Sequence, residues 1–161
     1  MVRPYHHGDL RRALLTAAWA LLDEGGLEAI TLRAVARRAG VSHAAPHHHF
    51  ASKAALVEAM VVAAFESFAA ELQQAWDDGL VPTPRAATAG LAEGPLAALA
   101  SVGFAYIRFA TTRPRVFALL NRPELRCLPG AGATGAASPE VEAAAARAYH
   151  VLERGVAACQ A

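Results

Sequence analysis

The chain has 161 residues, of which 55% are hydrophobic and 18% charged, and this length is sufficient for one or two small domains with an apolar core. The uncharged apolar segment 94–107 has 14 residues and contains Gly and Pro, and it is shorter than the roughly 20 residues that a membrane-spanning helix needs. The two cysteines, Cys127 and Cys159, lack a Cys-x-x-Cys spacing. The composition therefore argues against a membrane protein, a zinc site and a disulfide framework, and we expect a soluble cytoplasmic protein.

Charge is unevenly distributed along the chain. Residues 1–53 contain seven Arg and Lys residues against four Asp and Glu residues, a net charge of +3, whereas the remainder contains eight against ten. Six of the seven histidines also lie in the first 53 residues, where they would add positive charge beside phosphates. The N-terminal third is therefore the part expected to contact a polyanion.

Apolar residues at helical spacing and many alanines predict an all-α protein. Thr31, Ser42 and Ser52 are suitable N-caps, and Gly40 is a suitable left-handed helix stop. Pro46 falls in the first turn after Ser42, where its missing N–H removes at most one helical bond. The predicted helices span residues 9–24, 32–39, 43–50, 53–78, 95–112, 115–120 and 139–161, and segments 79–94 and 122–138 are expected to be a loop and a mobile segment.

The two short helices on either side of the Gly-Val turn fit a helix-turn-helix, in which the second helix enters the major groove of DNA. The small side chain of Ala44 lets this helix approach the base edges, and Ser42 and His43 are short enough to bond them directly or through water. Thr31 and Lys53 lie at helix N-termini, where hydroxyl, ammonium and backbone N–H groups can bind phosphates. We therefore expect these residues to contact DNA.

Two other groups of basic residues have more than one interpretation. Arg33, Arg37 and Arg38 are either phosphate contacts or a solvated helix face. The three histidines at 47–49 would point about 100° apart on a helix and cannot converge on one metal ion. We expect these histidines to contact nucleic acid or solvent, and we expect no metal site.

The segment TLRAVARRAGVSHAAPHHHFASKAAL, residues 31–56, resembles the DNA-binding signature of the TetR family of bacterial transcription regulators. The segments RPYHHGDLRRALL, residues 3–15, and FAYIRFATTRPRVFALL, residues 104–120, resemble the branch of this family whose C-terminal domain carries a Trp-His-Gly motif. The resemblance implies a homodimer that binds double-stranded operator DNA, represses transcription without a cofactor, and releases the DNA when a small molecule binds.

The resemblance also implies an architecture. A three-helix DNA-binding domain, residues 1–53, is joined by a long helix to a helical bundle for ligand binding and dimerisation, residues 54–161. The chain ends at Ala161, before any Trp-His-Gly segment and before the final helix that normally completes the dimer. We therefore expect either a shortened sequence or a dimer that is built differently.

Individual positions can be carried over from the family. His47 stands where the family usually has Tyr, so an imidazole replaces a phenolic phosphate donor. The pair His49-Phe50 matches the His-Phe pair that closes the recognition helix, with Phe50 as a core anchor. The resemblance places phosphate contacts at Thr31, His47 and Lys53 and base-reading residues at or near Ser42, His43, Ala44 and His48, and we add Arg33 to the DNA contacts.

The second half of the chain is rich in aromatic residues. Helical bundles bind ligands between facing helices, although such aromatic residues more often form plain core. We expect an apolar effector pocket lined by Phe65, Phe68, Phe104, Phe109 and Phe117.

An enzyme and an interaction protein are the other two classes of function. We expect no enzyme, because no Ser-His-Asp set, paired carboxylates or Gly-rich phosphate loop occurs. The alternative to a regulator is a helical interaction protein with a degenerate DNA-binding domain.

Overall fold

A computed structural model describes residues 7–79, 94–122 and 138–160, with side chains from Leu10 onward. These residues form six α-helices and two short 3₁₀ helices without any strand, so the all-α prediction is confirmed. None of the helices in this part of the chain is long and apolar enough to cross a membrane. The predicted loop 79–94 and mobile segment 122–138 lie, apart from their ends, outside the described residues. The helices are α1, His7–Gly25; α2, Leu32–Arg38; α3, Lys53–Asp78; α4, Pro95–Thr112; α5, Pro114–Leu120; and α6, Pro139–Gln160.

The chain divides into two compact units, Met1–Val61 and Val62–Ala161. The division falls inside α3, which contributes residues to both units. The domain boundary predicted after residue 53 stays a prediction.

Helix boundaries in the first unit follow from the predicted capping residues. The Thr31 hydroxyl oxygen accepts a hydrogen bond from the Ala34 N–H at 3.0 Å, which caps α2. Gly40 has a φ of 69°, a left-handed conformation that glycine adopts without strain and that ends the helix. The Ser52 hydroxyl accepts from the Ala55 N–H at 3.1 Å and caps α3. These three predictions are confirmed.

The predicted helix over residues 43–50 is wrong in type and extent. A 3₁₀ helix, Ala45–His48, occupies this segment, and its N-cap is Ala44 rather than Ser42. The Ala45 N–H donates to the Ser42 carbonyl at 3.1 Å, and the His47 N–H donates to the Ala44 carbonyl at 3.1 Å. An α-helix would need the Pro46 nitrogen to donate to the Ser42 carbonyl, and proline has no N–H. Bonds of the 3₁₀ type therefore replace it.

In the second unit α4 packs against α5 and α6. Gly155 of α6 is buried, and a β-carbon there would lie 2.9 Å from Leu99 Cδ1 and 3.2 Å from Trp76 Cζ3. This glycine therefore allows α6 to approach side chains from both α3 and α4 closely. On α4, by contrast, two large apolar side chains lie at the surface. Phe104 and Ile107 are 61% and 58% exposed.

Candidate functional site

The predicted base-reading residues lie on the surface of the first unit. Ser42, His43, Ala44 and His48 are exposed, whereas Pro46 in the same segment is buried. The 3₁₀ helix packs against α2, and the Val41 N–H donates to the Ala36 carbonyl at 3.0 Å. The segment 42–48 is thus anchored through its proline and its backbone, while its polar and small side chains remain accessible to a partner.

Three predicted phosphate contacts, Thr31, Arg33 and His47, are also exposed. The Thr31 oxygen accepts from the α2 N-terminus, which leaves its hydroxyl hydrogen for donation. Neither the Arg33 nor the Arg37 side chain has a hydrogen bond or ion pair among the described residues. Their guanidinium groups are available for an anionic partner.

Arg38 differs from its two neighbours because it forms a bidentate ion pair with Glu24 at the end of α1. Arg38 Nη2 and Nη1 lie 2.6 Å and 2.7 Å from the two carboxylate oxygens. The hydrogen bonds from this guanidinium hold the pKa of the Glu24 carboxyl below its ordinary value of 4.5. Arg38 is therefore better explained as a link between α1 and α2 than as a DNA contact.

This pair predicts a pH-dependent contribution to stability. A carboxyl whose pKa is lowered on folding stabilises the fold above its unfolded pKa and loses that effect as the pH falls through its folded pKa. We expect Glu24→Gln to be slightly less stable than the wild-type chain at pH 7 and the difference to shrink as the pH is lowered to 3, as measured by urea unfolding. Glu28→Gln, at an exposed glutamate without a partner among the described residues, is the control. An equal difference at both pH values contradicts the prediction.

Lys53 makes a contact that the sequence did not predict. Its Nζ donates to the Leu27 carbonyl oxygen at 3.0 Å, in a half-buried position. This bond ties the first residue of α3 to the 3₁₀ helix Leu27–Ala29. Two ammonium hydrogens remain for other acceptors. The predicted phosphate contact of Lys53 stays a prediction.

His49 and Phe50 follow the exposed segment 42–48 directly, and both are less accessible to solvent. Phe50 is only 3% exposed, in agreement with its expected role as a core anchor, and the Arg11 guanidinium carbon lies 5.4 Å from its ring centre. His49 is half-buried, and its Nε2 atom has no hydrogen-bond partner among the described residues. No local sequence pattern indicates the contact between Arg11 and Phe50, because 39 positions separate the two residues.

A cavity of about 110 Å³ lies within the second unit. Three of the predicted pocket residues, Phe65, Phe68 and Phe117, line it. The other two do not, since Phe104 is 61% exposed and Phe109 is buried in the core at 1%. Seven further residues, not among those predicted, also line the cavity: Tyr106, Leu120, Asn121, Ala145, Ala148, Tyr149 and Leu152.

The cavity wall consists mainly of aromatic edges and faces. The Tyr106 ring lies 5.4 Å from both the Phe68 and the Phe117 ring centres, in edge-to-face arrangements. Phe109 supports Phe68 from the core, with ring centres 4.8 Å apart. None of the described residues that line the cavity carries a charge. These residues can therefore accept an apolar molecule but offer it no counter-ion.

Comparison with known proteins decides the family. Residues 14–60 match the model of the bacterial regulatory proteins of the tetR family. A stretch of 78 residues is 37% identical to the HTH-type transcriptional regulator BetI of Rhizobium meliloti (strain 1021). Residues 14–60 therefore belong to the TetR family. The match to BetI covers 48% of this chain and 35% of BetI, so the chain matches about a third of that TetR family regulator's length.

Solved structures agree with the TetR family fold. A protein of unknown function from Rhodococcus sp. RHA1 is 31% identical with a TM-score of 0.76, and the alignment covers 99% of this chain and 72% of that one. A proposed tetR family transcription regulator from Shewanella sp. PV-4 is 21% identical with a TM-score of 0.54, over 92% of this chain and 66% of that one. Membership of the TetR family, a family of regulatory proteins, favours a regulator over an enzyme. The Trp-His-Gly branch stays a prediction.

Proposed function

We propose that this TetR family member is a cytoplasmic transcription repressor that binds double-stranded operator DNA as a homodimer and releases it when a small apolar molecule binds. The observation that carries the DNA part is the exposure of Ser42, His43 and Ala44 beside the buried Pro46. A segment held by its proline while its small polar side chains face solvent is suited to lie in the major groove.

The surroundings of this segment supply the expected phosphate contacts. Thr31 is the N-cap of α2, Arg33 lies in its first turn, and Arg37 follows one turn later, all of them exposed. Phosphate contacts fix the position of a protein on DNA, and base contacts select the sequence. His47, with its exposed imidazole, takes the phosphate-contacting role that the family assigns to Tyr.

Ligand release is proposed to act through α3. This helix contributes Leu56 and Met60 to the core of the first unit and Phe65 and Phe68 to the cavity wall of the second. A molecule that binds better to one arrangement of α3 shifts the population toward that arrangement. In a dimer, the half-sites on DNA require recognition segments about 34–36 Å apart. A ligand that favours another spacing would therefore lower the affinity for DNA.

The test is binding of the full chain to DNA fragments from the region upstream of its own gene, measured by fluorescence anisotropy at several salt concentrations. Arg37→Gln should lower the magnitude of the slope of log K against log [salt] by about one unit, because one phosphate contact and its released counterions are lost. Arg108→Gln, at an exposed position of α4, should leave the slope unchanged. An unchanged slope in Arg37→Gln would return this arginine to the solvated face of α2.

The alternative is a helical interaction protein with a degenerate DNA-binding domain, favoured by the replacement of Tyr at position 47. Genome-wide footprinting distinguishes the two functions. A folded chain that protects no DNA site under any salt condition supports the alternative and refutes the repressor.

A further inference from the structure

We infer that the cavity of the second unit takes an uncharged molecule with a single aromatic ring and one hydroxyl group, that is, a phenol. This inference rests on the proposed function because it specifies the effector of the same cavity. Three features of the cavity support this ligand: its volume, the uncharged side chains of its described lining residues, and the orientation of one amide.

The volume limits the ligand to about one ring. The cavity measures about 110 Å³, and an engineered apolar cavity of about 150 Å³ is known to bind benzene. Its wall on α6 is formed partly by Ala145 and Ala148, whose methyl groups leave the space open. A larger side chain at either position would fill this space.

The chemistry of the wall selects an aromatic and uncharged ligand. Phe68, Tyr106 and Phe117 already meet edge to face, so a further ring can be accommodated in the same kind of contact. Within residues 7–79, 94–122 and 138–160, no Lys, Arg, His, Asp or Glu side chain lines the cavity. A carboxylate buried against this wall would therefore lose its hydration without gaining a counter-ion from these residues, which is costly.

Asn121 gives the cavity a preference for a ligand that carries a hydrogen-bond donor. Its Nδ2 donates to the Phe117 carbonyl oxygen at 2.8 Å. Because a carbonyl oxygen only accepts, the amide nitrogen must face Phe117, and the Oδ1 atom is left as an acceptor. Asn121 is exposed and is one of the lining residues, so this acceptor belongs to a side chain that meets both the cavity and solvent. A ligand hydroxyl is the complementary donor.

The decisive measurement is isothermal titration of the full chain, without DNA, with phenol, toluene and benzoate at pH 7. We expect phenol to bind at least about tenfold more tightly than benzoate, a difference of about 1.4 kcal/mol. Ala148→Phe should lose phenol binding, whereas Ala146→Phe, at an exposed neighbouring position of α6, should retain it. Benzoate binding equal to phenol binding, or full phenol binding by Ala148→Phe, would overturn the inference.

A second variant decides the matter if Ala148→Phe does not fold. Asn121 is exposed, so Asn121→Ala leaves the core unchanged. We expect this variant to bind phenol several-fold more weakly and toluene as well as the wild-type chain does. Equal losses for both molecules, or none, would refute the role of the amide oxygen.

Measurements of phenol binding and DNA binding together distinguish a failure of the inferred ligand from a failure of the proposed function. Phenol binding that leaves the affinity for DNA unchanged supports the inferred ligand class and refutes ligand-induced release. DNA binding by a chain that takes up no phenol supports the DNA-binding part of the proposed function and refutes the inferred ligand.

Discussion

Ala44→Glu is expected to lower the affinity for operator DNA by at least about 100-fold without unfolding the protein. Ala44 is exposed, and its side chain forms no cap of the 3₁₀ helix that follows, so a longer side chain can be accommodated there. In the proposed complex the new carboxylate would lie in the major groove between two rows of phosphates. Juxtaposed like charges cost several kcal/mol, and about 1.4 kcal/mol corresponds to a tenfold change in affinity.

Anisotropy titration with the fragment that the wild-type chain binds measures this effect. Ala157→Glu adds the same charge at an exposed position of α6 and should bind DNA with close to wild-type affinity. Circular dichroism establishes that both variants are folded. Should Ala44→Glu bind as tightly as Ala157→Glu, the exposed segment 42–48 does not enter the groove.

The largest effect on stability is expected at Phe109. Phe109→Ala should lower the free energy of unfolding of the second unit by about 3–5 kcal/mol, because it removes a fully buried ring and leaves a cavity. This ring is 1% exposed, packs 4.8 Å from the Phe68 ring centre and carries the Arg113 guanidinium carbon 4.9 Å from its own centre. Urea unfolding followed by near-ultraviolet circular dichroism measures the loss.

Phe104→Ala is the matched control. It makes the same substitution in the same helix, where the ring is 61% exposed. The expected loss there is within about 1 kcal/mol, since few contacts of an exposed side chain disappear. Similar losses in the two variants would mean that the described packing of α4 is wrong.

The sequence predicted helices and their ends well, because those depend on neighbouring residues. The caps at Thr31 and Ser52 each need only a hydroxyl and an N–H three residues later. The conformation of the segment 42–48 was predicted less well. The suitable N-cap Ser42 favoured an α-helix, but Pro46 has no N–H to donate to the Ser42 carbonyl, and bonds of the 3₁₀ type form instead.

The candidate sites were predicted only where exposure follows from local pattern. Phe104 and Phe109 could not be distinguished, since α4 is apolar on more than one face and periodicity then does not identify the buried side. The Lys53 contact with Leu27 and the cavity wall depend on residues distant in sequence, and packing alone brings them together.

The close approach of α6 at Gly155 provides an intrinsic optical reporter. The indole of Trp76 would meet a β-carbon at 3.2 Å, so undocking of this helix must change the surroundings of a natural fluorophore. The other tryptophan, Trp19, belongs to α1 in the first unit. Emission from single-tryptophan versions of the chain would therefore follow the melting of each half independently, without an attached dye.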